Sequence, residues 1–285
     1  MSRIEFFYKP ETPVDVSSLT IRIYDRDFSE IINASDNKTI EEVWQRLREE
    51  KGDKIFSKPR SLGTLYDARG NILTFRPTEF KVYIATTLSH EQRSLSPQIY
   101  DSMRVCAVGV CVRTIDGVTF INRRSPHVTH AKNLIDSSAA GFVPINQSGK
   151  LDFSNAVYEK LRRELKITPE EVISLKLTAV HHAYEPDFSG MCDFVVEINL
   201  EKGDLERRID PNSFAEHFFV SQQELPAFII DHYVVRQDMV PDGCATLLSS
   251  LNHQVSLELI EQLRRLGKSI KFGNLEDNLF IERQI

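Results

Sequence analysis

Four cysteines, at positions 106, 111, 192 and 244, are too few and too scattered to form a disulfide framework or paired metal-ligand spacings. Cys106, Cys111, Cys192 and Cys244 are therefore expected to be buried, reduced thiols of a cytosolic protein. No run approaches the ~18 consecutive apolar residues of a membrane-spanning helix. The first residues, MSRIEFFYKP, lack the basic stretch and long apolar run of a secretory signal, so a cytoplasmic location is expected and no membrane partner. No block of Lys and Arg is present and the net charge is -6, which gives no sign of a nucleic-acid surface. Internal repeats and low-complexity segments are absent as well.

What remains is an ordinary soluble composition over 285 residues, enough for one large domain or two small ones. Ile4 to Tyr8 and Leu19 to Tyr24 are rich in β-branched and aromatic residues and predict strands. Ile40, Val43, Trp44 and Leu47 share one face of a helix over 36–51, which places the single Trp in a core. Ser61 to Tyr66 and Ile72 to Phe75 flank Gly70-Asn71, a hairpin turn. Phe80 to Thr86 alternates and reads as another strand. Residues 1–98 then form a small mixed α/β domain, with the polar stretch Ser89 to Pro97 as its boundary and 99–285 as the second domain.

In that second domain, Arg104 to Arg113 and Val118 to Asn122 flank Asp116-Gly117, a strong hairpin signal. Leu175 to Ala183 and Asp193 to Leu200 read as strands around the loop Glu185 to Gly190, and Phe218 to Val220 as a last strand. Gln222 to Ile230, Asp242 to Leu251 and Ser256 to Leu266 read as helices. The last is amphipathic through Leu259, Ile260, Leu263 and Leu266, with Gly267 as its stop.

The stretch carrying most information is DSSAAGFVPINQSGKLDFSNAVYEKLRRELKITPEEV, from Asp136 to Val172. A short strand ends in Ala139-Ala140-Gly141, and a polar loop leads into an amphipathic helix. Val157, Leu161 and Leu165 share its apolar face, while Lys160 and Glu164 form a polar stripe. Ser154 or Asn155 would cap the helix and Pro169 would close it.

This stretch resembles the signature of the Nudix hydrolases: Gly, five residues, Glu, seven residues, Arg-Glu-apolar, one residue, Glu-Glu, one residue, Gly, apolar. Arg163-Glu164-Leu165 matches its core. Seven residues separate Arg163 from Asn155, which stands where the first Glu belongs. Ala140-Gly141 resembles the family's Gly-Gly at a strand end, with thirteen residues instead of five before Asn155, as after a loop insertion. Gly149 fits the spacing of five but has no strand before it. The basic pair Arg123-Arg124 also suits the family. The order of segments from Trp44 onward resembles a branch that cleaves UDP-glucose and UDP-galactose.

The resemblance implies a Nudix-type α/β/α sandwich with a mixed sheet, and a Mg²⁺-dependent pyrophosphohydrolase of nucleoside diphosphates linked to another group. One departure bears on that chemistry. Ile167 and Thr168 stand three and four residues past Glu164, where the family has two further metal-binding carboxylates. Substitution, or deletion of one helical turn, would leave Glu164 as the only catalytic carboxylate and metal ligand of the helix. Two readings follow. In one, the fold keeps a cleft for a nucleotide or nucleotide sugar, or a surface for a protein partner, without ordinary hydrolysis. In the other, carboxylates elsewhere complete a Mg²⁺ site, Asp193 being the first choice.

The resemblance nominates Arg123, Arg124, Gly141 and Arg163 as ligand-binding residues. Each has a plain alternative. Glu164 could be a helix-surface Glu paired with Lys160, Arg163 could pair with Glu159, and Asp193 could be a strand-end residue making backbone bonds. His181 and His182 are adjacent on a strand and face opposite sides, so they cannot share a metal without distortion. His127 and His130 lie three apart in a loop and need be no more than loop residues.

Overall fold

The computed structural model describes residues 3–52, 61–90, 92–128, 131–183, 189–210 and 212–273. The loop Glu185–Gly190 lies outside them except for its last two residues, and His130 lies outside them too.

The sheet is built on β6 (Val105–Arg113), a run of Val, Cys, Ala and Gly buried along nearly its whole length. Such a run reads as a strand covered on both faces rather than one. Besides a contact at Val105 with the N-terminal strands, three partners share it. Its middle pairs with β9 (Ala139–Phe142), its end with β7 (Val118–Arg124), and its full length runs parallel to β11 (Ser189–Ile198). β11 is antiparallel to β10 (Val172–Ala183). Beyond β7 lie β8 (Ile135–Asp136) and β12 (Phe214–Ser221). The hairpin turn expected at Asp116-Gly117 forms with Gly117 at φ 82°, a conformation glycine adopts without strain.

Helices cover both faces. On one, α4 (Phe153–Lys160) buries Val157, Leu161 and Leu165 against Val108, Val110 and Phe194. On the other, α7 (Pro241–Ser250) and α8 (His253–Arg265) pack on Cys111, Ala179 and Val195. The result is a mixed α/β sandwich with a large mixed sheet, the layer order expected from the sequence. Cys106, Cys111, Cys192 and Cys244 are free and buried, as expected.

The boundary expected near residue 98 does not interrupt the sheet. β1 (Arg3–Tyr8) is inserted between β10 and β13 (Ser269–Phe272), with Phe6 opposite His181 and Ile4 beside Ile270. At the other end β4 (Ser61–Arg69) joins β6 through Thr64 and Val105, and β5 (Ile72–Glu79) continues outward to β3 (Thr20–Ile23). Residues on both sides of 98 therefore share one hydrogen-bonded ladder. A local cluster still surrounds α1 (Ala34–Lys51), where Ile40 and Val43 are buried and Trp44 is only half-buried.

Phe80 to Thr86, read as a strand, is helical: α2 spans Phe80–Ser89. Its buried positions, Val82, Tyr83, Ala85, Thr86 and Ser89, recur at spacings of three and four, which is a helical stripe. Thr86 and Thr87 return their hydroxyls to the carbonyls of Val82 and Tyr83, a bond four residues back that reconciles threonine with a helix.

Candidate functional site

β9 and α4 bring the nominated residues together. Asp152, not Ser154 or Asn155, caps α4, its carboxylate accepting from the Asn155 N–H at 2.9 Å. After Lys160 the helix widens into one π-turn, Leu161–Leu165, and stops. Lys166 is left-handed, at φ 56°, and both its N–H and that of Ile167 return to the Leu161 carbonyl. Ile167 then turns inward and is 1% exposed within the core. Thr168 opens a separate 3₁₀ turn, its N–H donating to Glu171 at 2.9 Å. Neither residue continues the polar stripe of the helix. The π-turn holds an extra residue in the ladder, a distortion that recurs at functional sites.

Lys160 lies across Gly141. A Cβ at Gly141 would collide with the lysine ammonium, so glycine leaves the space the ammonium uses. Lys160 belongs to the polar stripe, yet its side chain is only 19% exposed, with Nζ 3.6 Å from the Glu164 carboxylate. Burial pulls its pKa down, Glu164 pulls it up, and the neighbouring charges of Arg163 and Arg124 add to the lowering. Arg163 does not reach back to Glu159. Its guanidinium donates to Glu164 at 2.6 Å. Arg124 donates to the buried Asp136 at 2.6 Å, and burial raises the Asp136 pKa despite that partner. Glu164, Gly141, Arg163 and Arg124 thus converge around Lys160, which sequence reasoning treated only as an ion-pair partner. The signal was available: a lysine four residues before the glutamate, on a helix facing a glycine strand end.

Arg123 and Asp193 are placed elsewhere. Arg123 is fully engaged, its Nε on Glu216 at 3.0 Å, Nη1 on the Asn133 carbonyl at 2.8 Å and Nη2 on Asp238 at 2.9 Å. All three of its nitrogens are engaged and two carboxylates already balance its charge, so it is not set up to fork onto a phosphate. Asp193 is 0% exposed. His181 Nδ1 lies 2.8 Å from one of its oxygens and Thr246 donates to the other at 2.7 Å. Its neighbour Phe194 meets Phe153 of α4, so Asp193 points to the opposite face, toward α7. The sheet separates it from Glu164, and the two do not form one carboxylate site. His181 also holds Asp242 through Nε2 at 3.2 Å. Burial alone would lower the His181 pKa, but Asp193 and Asp242 outweigh it and raise it to about 10. His182 turns to the other side, against Phe7.

Mg²⁺ calls for several hard oxygen ligands in a near-octahedral set. Around Gly141 stand two carboxylates, Glu164 paired with Lys160 and Arg163, and Asp136 paired with Arg124. Among the described residues no group of three or more His, Cys, Asp or Glu could hold a metal ion. The residues present do not fit a Mg²⁺ cluster. Returning a carboxylate at Ile167 would not rebuild one, because that side chain faces the core. Ile167→Glu is expected to destabilise the protein by about 3 kcal/mol or more, read from guanidinium unfolding, with no gain in calorimetric Mg²⁺ binding.

No family model matches the chain, and no curated protein sequence does. Among solved structures it is similar to the DR0079 protein of Deinococcus radiodurans, at 24% identity over 48% of this chain and 83% of that one, with a TM-score of 0.34. It is similar to a MutT protein of Methanosarcina mazei at 14% identity, over 50% and 88% of the two chains, TM-score 0.33. It is also similar to the Ap4A hydrolase of C. elegans at 13% identity, over 52% and 98%, TM-score 0.32.

Proposed function

We propose that this chain is a Nudix-like protein that binds a nucleoside diphosphate or nucleotide sugar at the Gly141–α4 cleft without hydrolysing it in the ordinary metal-dependent way. The observation that carries this reading is the Lys160 ammonium held against Gly141 and Glu164. A fixed cation there offers a diphosphate the charge that a metal would otherwise bring. Glycine at 141 leaves room for that ammonium beside the strand backbone. Arg163, 65% exposed at its side chain, adds a planar donor suited to phosphate. Lys160, Arg163 and Arg124 together outnumber Glu164 and Asp136, so the cluster favours an anion.

The alternative, an active enzyme with relocated carboxylates, needs Asp193 or a similar group beside Glu164. The position of Asp193 behind the sheet weighs against it. Calorimetric titration of UDP-glucose into the protein, with and without EDTA, tests the proposal. Binding of equal affinity in both is expected, and binding that vanishes with EDTA would refute it.

A further inference from the structure

A second cavity, of about 410 Å³, lies on the α7–α8 face, separated from Lys160 by the sheet. It opens between the segment after β1, the strand residues Arg113 and Thr178, and the turn from α7 into α8. Lys9 and Arg113 are its cations. Lys9 has no hydrogen-bond acceptor or ion-pair partner among the described residues, and burial pulls its pKa down to about 8 against the attraction of Asp193. Asp193 acts on it only at a distance, its own bonds going to His181 and Thr246. Arg113 donates to the Ser250 carbonyl at 3.1 Å and stands 3.8 Å from Glu197, while its Nε is buried with no partner. His253 opens the thirteen-residue helix α8 in the same lining, and its Nδ1 is likewise buried and unpartnered. The helix N-terminus adds partial positive charge. Glu11 is the one carboxylate of the lining and is exposed.

A partly buried ammonium without a counter-charge is costly, and an anionic ligand offsets that cost. Two cations and a helix N-terminus match the charge of a phosphate group, near minus two at neutral pH. The volume falls at the lower end of small-molecule sites, about 300–1,000 Å³, and exceeds a lone phosphate. The rest of the lining includes hydroxyl and amide side chains such as Ser249, Asn252 and Gln222, and no Phe, Tyr or Trp ring on which a base could stack. We infer that this cavity is a separate ligand site for a phosphate monoester on a hydroxylated carbon skeleton, with Lys9 and Arg113 gripping the phosphate.

Calorimetry with ribose 5-phosphate, inorganic phosphate and citrate tests the inference on the intact protein. Ribose 5-phosphate is expected to bind the unmodified chain. Lys9→Met and Arg113→Met should each weaken it about tenfold or more. Lys160→Met, across the sheet, should change it less than about twofold. Saturating ribose 5-phosphate should also slow acylation of Lys9 in the unmodified protein, read by peptide mass spectrometry, which holds even if a variant folds poorly. Absent binding, binding unaffected by Lys9→Met, binding of phosphate or citrate alone, or no protection of Lys9 would each overturn the inference.

Discussion

Replacing His181 with alanine is expected to lower stability by about 3–5 kcal/mol, the cost of removing one partner from a buried ion pair. His181 is fully buried between Asp193, itself fully buried, and Asp242. Alanine would leave Asp193 with Thr246 as its remaining side-chain donor and would open a void beside Phe6, whose ring lies 5.8 Å from the imidazole. The pH dependence follows from the same geometry. The folded-state pKa of about 10 stands above the ordinary 6.5, so the stabilisation is complete below about pH 6.5 and is lost as pH rises through 10. Guanidinium unfolding from pH 6 to pH 10 should show that decline in the unmodified protein and a flatter profile in His181→Ala. Equal stability of the two proteins at pH 6 would show that the buried triad is not an ion-paired cluster.

Lys160→Met is expected to weaken UDP-glucose binding by at least about tenfold with little change in thermal stability. Methionine keeps the unbranched side chain as far as Cε, and with it most of the packing over Gly141, but removes the ammonium. Its pair with Glu164 is 3.6 Å long at a partly exposed position, so losing it costs at most ~1 kcal/mol, and burial already disfavours the charge. The functional loss has a different origin: the remaining Glu164 would then face the ligand phosphates with only Arg163 to screen it. Isothermal titration beside differential scanning calorimetry separates these effects. A variant that melts like the parent and binds equally well would remove Lys160 from the site.

The parts of the fold that were legible in the sequence are those fixed by neighbours in the chain. The hairpin at Asp116-Gly117 announces itself because the turn requires a positive φ at Gly117, and α4 because Val157, Leu161 and Leu165 repeat by four. What was not legible depends on distant partners. β1 looks like the start of a small N-terminal domain until His181 and Ile270, far along the chain, are seen to flank it. Phe80 to Thr86 alternates as a strand would, yet packing on α1 and the returning threonine hydroxyls select a helix.

The site divides in the same way. Glu164, Arg163 and Gly141 were nominated by a local pattern, and the fold brings them together. For Asp193, alternation shows that it and Phe194 face apart, but only the packed helices reveal which of them meets α4. Arg123 carried the right chemistry for phosphate, and its capture by Glu216 and Asp238 leaves no trace in local sequence. Lys160 was visible and misjudged, since a lysine on a polar stripe gives no hint that a glycine opposite has made room for it.

The central claim is that an ammonium, not a carboxylate cluster, stands at the glycine strand end, so that the cleft binds without ordinary hydrolysis. Its most direct test is turnover of UDP-glucose in millimolar Mg²⁺ or Mn²⁺, with products converted by phosphatase and inorganic phosphate measured. No metal-dependent release above background is expected, from the unmodified protein or from Glu164→Gln. Rapid Mg²⁺-dependent release that disappears in Glu164→Gln would contradict the account, because Glu164 would then be holding a catalytic metal that Lys160 leaves no room for.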